Sequence, residues 1–258
     1  MITIFRYECR RLTGNRFFFG MAAILLFFGQ QTFERVTLTG VSHTAPFSPW
    51  SLGDFACRML PLLWAAALSF LTFFTSPQAR RTAVLTACCP VSPRRYAAVR
   101  LAAALAGTGI LTILCLAEAA ALTAWYFHLF IWDIVWKNLL FPALITLVPP
   151  LIFALGSGWR LGNLCPRLLF GWMALPFFLR LLPLADNFHL WNGQFFAQYP
   201  LTAGVLDPAF FIPAPMVLLQ LLLAAGGIIL AGLFPLPALP MRTRKRTAPK
   251  SREKRSSL

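Results

Sequence analysis

Two charged side chains, Glu118 and Arg180, stand inside long apolar runs of this sequence. A carboxylate or guanidinium at membrane depth is costly, so such a group pairs, lines a water-filled cavity or extends toward the headgroups. We predict that the two form an intramembrane charge pair or line a cavity. The alternative is that Arg180 extends to the outer headgroups while Glu118 faces water. The runs hold no two acidic residues that could serve as acid and base.

The other reactive side chains lack the spacing of a catalytic or metal centre. The sequence has no His-Glu-x-x-His motif, and its cysteines follow neither a disulfide framework nor a zinc-ligand pattern. It also has no Gly-x-x-x-x-Gly-Lys-Ser/Thr loop for a nucleotide. We therefore predict a chain that is not an enzyme and has no catalytic, cofactor or metal site. The residues concerned are His43, His128, His189, Cys9, Cys57, Cys88, Cys89, Cys115 and Cys165.

The composition around these residues is that of an integral membrane protein. Of 258 residues, 58% are hydrophobic and only 12% are charged, and the mean hydropathy is +0.68. Soluble domains carry about 25% charged residues, and disordered chains are less hydrophobic than this one. Both classes are excluded, and an all-α membrane protein is expected.

Intervals with few or no charges locate the membrane spans, because each must cross roughly 30 Å of hydrocarbon. They predict a six-helix transmembrane domain over 17–240. An interfacial amphipathic helix over 1–16 precedes it, and a disordered basic tail over 241–258 follows it. The predicted spans are about 17–36, 57–76, 97–124, 138–156, 168–184 and 213–236.

The positions of the basic residues predict the orientation. If the N-terminus is cytoplasmic, all but four of the 23 lysines and arginines fall in inner segments. The positive-inside rule then places both termini in the cytoplasm of a multi-pass cell-membrane protein. This pattern accounts for the net charge of +15 without a nucleic-acid partner, and it makes anionic membrane lipids a partner of the tail.

The loop after the second span is the polar segment with the strongest pattern. Pro77 and Pro90 bound a predicted short helix, and Ser92 with Pro93 is suited to begin the third span. We interpret this helix as a handle on which a partner docks; it could instead simply cover the end of the bundle. The predicted docking residues are Arg80, Arg81, Val84, Leu85 and Cys88.

Aromatic residues concentrate in the predicted outer segments. Trp50, the 125–136 turn and the 191–199 segment carry most of them, and amphipathic rings favour the headgroup region. They are interpreted as interfacial belts, with an aromatic substrate site as the alternative. The segment 186–213 is too long for a tight turn and predicts re-entrant or interfacial helices.

This pattern resembles the membrane subunit of a type-2 ATP-binding-cassette (ABC) transporter. The basic amphipathic start (7–12, then 15–17), the six spans and above all the stretch 83–96, with Pro-Val-Ser, a basic pair and an aromatic residue, carry the resemblance. It implies that the second loop holds a coupling helix that docks on a separate ATPase subunit, where ATP is bound. It further implies a homodimer or heterodimer of permeases and an export function.

A function of a different class is also open from the sequence. The loops and the basic tail would equally serve a non-transporting membrane scaffold or assembly factor that recruits cytoplasmic partners.

Overall fold

The computed structural model describes residues 2–42, 44–76, 92–182, 189–202 and 207–232, and within these ranges the chain is helical without a strand. A π-helical turn, Phe33–Thr37, extends the second helix. A short helical turn and a second π-helical stretch, Ile131–Asp133 and Ile134–Leu139, lead into the fifth. The helices are α1 (Ile2–Thr13), α2 (Arg16–Thr32), α3 (Pro49–Thr75), α4 (Pro93–Phe127), α5 (Leu140–Leu164), α6 (Pro166–Leu181), α7 (His189–Asn192), α8 (Gln194–Thr202) and α9 (Ala214–Gly232).

In the described ranges, five helical segments are long and apolar enough to cross a membrane. They confirm the prediction of a multi-pass helical membrane protein. The helix over the expected fifth span, α6, has 16 residues and is therefore about 24 Å long, which is less than the hydrocarbon thickness. It ends because Leu182, which precedes Pro183, is extended. The five segments are Arg16–Thr37, Pro49–Thr75, Arg94–Phe127, Ile131–Leu164 and Ala214–Gly232.

Two span boundaries differ from the prediction. Helix α3, which contains the second predicted span, begins at Pro49 rather than near residue 57. The Ser48 hydroxyl caps its start by accepting a hydrogen bond from the Ser51 amide. Helix α5, which contains the fourth predicted span, continues to Leu164 rather than ending at residue 156, although Pro149 and Pro150 lie inside it. Prolines are tolerated within membrane helices when neighbouring groups satisfy the freed carbonyls. The helix ends where Cys165, before a proline, is extended.

Helix α3 forms the centre of the bundle. Most of its side chains are buried, and Trp64 is fully buried while donating a hydrogen bond from Nε1 to the Trp172 carbonyl of α6 at 3.0 Å. Around it, small residues allow close packing: Gly158 of α5 lies against Leu68. Such contacts are typical of membrane bundles, in which packing rather than hydrophobicity joins the helices.

Helices α5 and α9 touch through their backbones. The carbonyl group of Gly227 lies so close to Gly156 that a Cβ atom on Gly156 would overlap it. Both positions therefore require glycine for reasons of space, and the contact fixes how α9 is rotated against α5.

The two aromatic segments behave differently. The rings of Trp125, Trp132 and Trp136 are more than half exposed, as a belt requires. Trp50 and Phe196, by contrast, are fully buried, so the belt interpretation is wrong for these residues. Trp50 Nε1 donates to the Pro208 carbonyl at 2.8 Å, and its ring packs against the rings of α8. The two short helices α7 and α8 lie in the segment where re-entrant or interfacial helices were expected.

Candidate functional site

The structure describes the residues on both sides of the predicted docking loop but not the loop itself. All five docking residues fall within 77–91, outside the described residues, so their predicted role stays a prediction. Helix α3 ends at Thr75 on one side of this segment, and α4 begins at Pro93 on the other. The residues in question are Arg80, Arg81, Val84, Leu85 and Cys88.

A buried carboxylate joins the N-terminal helix to the second flank. The Glu8 side chain of α1 is only 2% exposed. Its Oε1 accepts a hydrogen bond from the Tyr96 hydroxyl of α4 at 3.0 Å, and Arg11 Nη1 contacts Oε2 at 3.4 Å. Arg100 Nε lies 3.9 Å from Oε1. A charge buried in this way requires such partners, because water no longer solvates it.

Arg100 connects this network to the first flank. Its Nη2 donates to the Tyr96 hydroxyl at 3.0 Å, and its guanidinium carbon lies 4.2 Å from the centre of the Tyr96 ring. The same carbon lies 5.6 Å from the ring centre of Phe74, the next-to-last residue of α3. Both rings are within the range of cation–π attraction.

We call the residues Glu8, Phe74, Tyr96 and Arg100 the junction cluster. They join α1 to the end of α3 and the start of α4, the two elements that flank the predicted docking loop. A displacement of α4 at this point would act on α1 through the hydrogen bonds of the cluster. Beside the cluster, burial raises the pKa of the Cys9 thiol, and the Glu8 carboxylate raises it further.

Glu118 lies at another place in the bundle. Its carboxylate packs directly on Gly29 of α2, where a Cβ atom would overlap Oε2. That oxygen is buried and has no hydrogen-bond partner among the described residues. The Glu118 side chain as a whole is only partly buried, so its predicted role, in a pair, in a cavity or facing water, stays a prediction.

Arg180 shares a site with a second buried carboxylate. Asp54 of α3 is 3% exposed at its side chain and accepts a bond from Arg58 Nε at 2.6 Å. Gly193, with φ +81°, lies between α7 and α8 and faces this pair. A Cβ atom there would lie 3.2 Å from Asp54 Oδ1 and 3.8 Å from Arg180 Nη2. In the described ranges no ion pair joins Arg180 to Glu118, and Arg180 lies near Asp54 because α6 packs beside α3.

Sequence reasoning missed both buried carboxylates. The second span was predicted to begin at about residue 57, beside Arg58, although the i, i+4 spacing of Asp54 and Arg58 is that of a pair that a helix can carry inward. Glu8 was treated only as part of an amphipathic helix, yet it is the only acid among the four charged residues of α1. A lone acid in a basic stretch could have been recognised as the group that the surrounding cations neutralise.

No group of three or more potential metal ligands occurs in the described part of the chain. Comparison of the sequence with protein-family models, with curated proteins and with solved structures gives no match in any of the three. The geometry of the junction cluster and the sequence pattern around it are therefore the basis for a functional proposal.

Proposed function

We propose that this chain is the membrane-spanning permease subunit of an ABC transporter, working as an exporter. The observation that carries the proposal is the junction cluster. It fixes both flanks of the 77–91 segment to one buried network, as a loop that receives a mechanical input from a partner would need.

The chain supplies the moving part and a partner supplies the energy. Because the sequence contains no phosphate-binding loop, ATP would be bound and hydrolysed on a separate nucleotide-binding subunit. Closure of two such subunits would push the docking loops of two permease copies, in a homodimer or a heterodimer. Six spans, a plasma-membrane location and cytoplasmic termini belong to this proposal.

To couple ATP hydrolysis to movement of the permease, the helices between the docking loop and the rest of the bundle must move together as a rigid unit. Rigid helices with buried, mutually bonded side chains meet that requirement, because such interfaces switch between discrete arrangements instead of deforming gradually. Tyr96 is central here, since its hydroxyl donates to Glu8 and accepts from Arg100. A movement of α4 at this point would therefore displace α1.

The proposal is tested with the protein purified from its native membranes through a tag. The wild-type chain should carry a stoichiometric ATPase subunit with a Walker A motif, and ATP hydrolysis should respond to reconstitution in vesicles. The double variant Val84→Asp/Leu85→Asp should lose that subunit or the response, because it places two carboxylates on the apolar docking patch.

The matched control changes an apolar pair just beyond the opposite end of α4. Leu129→Asp/Phe130→Asp introduces the same two charges at exposed positions and should keep the ATPase subunit bound. Retention of the subunit and of normal coupling by the Val84/Leu85 variant would contradict docking at this loop. Stable binding of partners that lack ATPase activity would favour the scaffold function instead.

A further inference from the structure

An apolar cleft of about 540 Å³ lies between α4, α5 and α9. Its α4 wall is made largely of small side chains such as Ala98 and Ala102, and its depth comes from the backbone contact of Gly156 with Gly227. All three helices belong to the candidate spans. In a bilayer the cleft therefore opens sideways into the hydrocarbon, where an empty volume would forfeit van der Waals contacts along its walls.

Two arginines stand at one end of this cleft. The α4 wall runs through Ala98 and Leu101, and Arg94 precedes Ala98 by four residues, so it continues the same helix face by one turn. On α5, Arg160 follows Gly156 by four residues in the same way. These positions lie at the same end of the bundle, because α4 begins where α5 ends.

The charge at this end of the cleft is positive. The first two turns of α4 carry Arg94, Arg95 and Arg100, the last two turns of α5 carry Arg160, and neither stretch contains an acidic residue. The guanidinium groups of Arg94 and Arg160 have donors arranged to match a phosphate. Basic pockets of this kind between membrane helices suit anionic lipid headgroups.

We propose that the cleft binds an acyl chain of an anionic phospholipid, with its phosphate held by Arg94 and Arg160. A helix from a second copy fits the space poorly. With side chains a helix is about 10–12 Å wide, so this volume would hold roughly one turn of it. A flexible acyl chain fills the same volume along its length and leaves the headgroup at the basic end.

The test uses the full-length protein extracted from vesicles with equal amounts of phosphatidylglycerol and phosphatidylcholine, with retained lipid identified by native mass spectrometry. We expect one retained phospholipid for each chain, with phosphatidylglycerol preferred about tenfold. Ala102→Phe should abolish retention because the ring fills the cleft. Ala102 is exposed, so the ring meets no core. Ala98→Phe, at a second exposed lining position, serves if that variant does not express.

Matched controls separate the cleft and its charges from general effects. Ala117→Phe places the same ring at an exposed position of α4 that does not line the cleft and should retain the lipid. Arg94→Gln/Arg160→Gln should reduce the preference to near unity, whereas Arg167→Gln, an exposed arginine at the start of α6, should preserve it.

Two results would overturn the proposal. Equal lipid retention by Ala102→Phe and Ala117→Phe would show that the lipid is bound elsewhere. Conversion of a dimer to a monomer by Ala102→Phe, but not by Ala117→Phe, would show that a second copy occupies the cleft.

Discussion

The two most buried carboxylates of the described chain, Glu8 and Asp54, are neutralised in different ways. Asp54 is paired within one helix, to Arg58 four residues later. Glu8 also has a 3.4 Å contact with Arg11 of its own helix, but its shortest hydrogen bond, from Tyr96, and the buried cation that faces it, Arg100, come from α4. The two lie far apart, since Phe74, which belongs to the junction cluster, follows Asp54 by twenty residues or about 30 Å along α3.

This difference indicates at which end of the bundle a shift of one helix against another would break side-chain contacts. The Asp54 pair persists when neighbouring helices shift, because both partners travel with α3. The Glu8 network exists only while α1 is seated on α4, so any displacement at the start of α4 breaks it or carries α1 along. The interhelical network is placed beside the segment where we propose that the ATPase docks.

The largest effect is expected from Glu8→Gln. The substitution removes the charge that Arg100 faces, and the Arg100 side chain is only 13% exposed, so an uncompensated charge would stay buried. Breaking a buried pair in this way costs about 3–5 kcal/mol of unfolding free energy. Equilibrium unfolding in detergent micelles measures it. The double variant Glu8→Gln/Arg100→Gln should recover much of the loss; strictly additive losses would contradict the network.

A smaller effect is expected from Asp54→Asn. The Arg58 side chain is 35% exposed and can turn to water when its partner loses its charge, so we expect a loss of about 1–3 kcal/mol, as for a buried hydrogen-bonded group. The same unfolding measurement applies. A loss equal to that of Glu8→Gln would remove the distinction between the two ends.

The smallest effect is expected from Arg11→Gln. This side chain is 47% exposed, and its contact with Glu8 is a long 3.4 Å, so the loss should stay below about 1 kcal/mol and shrink further in high salt. Coupling to the ATPase should be unchanged. A loss of stimulation by this variant would assign the junction to Arg11 instead of Tyr96 and Arg100.

Much of the helical architecture could be predicted because the length of an apolar run can be counted directly along the sequence. Runs with few or no charges predicted the five described helical segments that are long enough to span. Their ends were less predictable: the second span was expected to begin near residue 57, but the paired charges Asp54 and Arg58 are both carried inside a helix that begins at Pro49. The ends of α5 and α6 depend on Cys165 and Leu182, whose extended backbones are set by the prolines that follow them.

The candidate site was less predictable because it depends on which helix faces which. Nothing in the spacing of Glu8 and Tyr96 indicates that they meet, and nothing in that of Asp54 and Arg180 indicates that they lie close together. The same applies to Trp50: an aromatic residue before a span predicts an interfacial ring, but the rings of α8 and the backbone at Pro208 cover it. Such pairings arise from packing between distant parts of the chain.

The backbone contact of Gly156 with Gly227 has a consequence for biosynthesis. Gly227 is made 71 positions after Gly156. At roughly 5–20 residues per second, α5 waits about 4–14 s in the membrane before α9 can cover it. During that interval its glycine surface is open to lipid and to insertion or quality-control factors. Until α9 packs on α5, assembly of the bundle in the nascent chain can still fail.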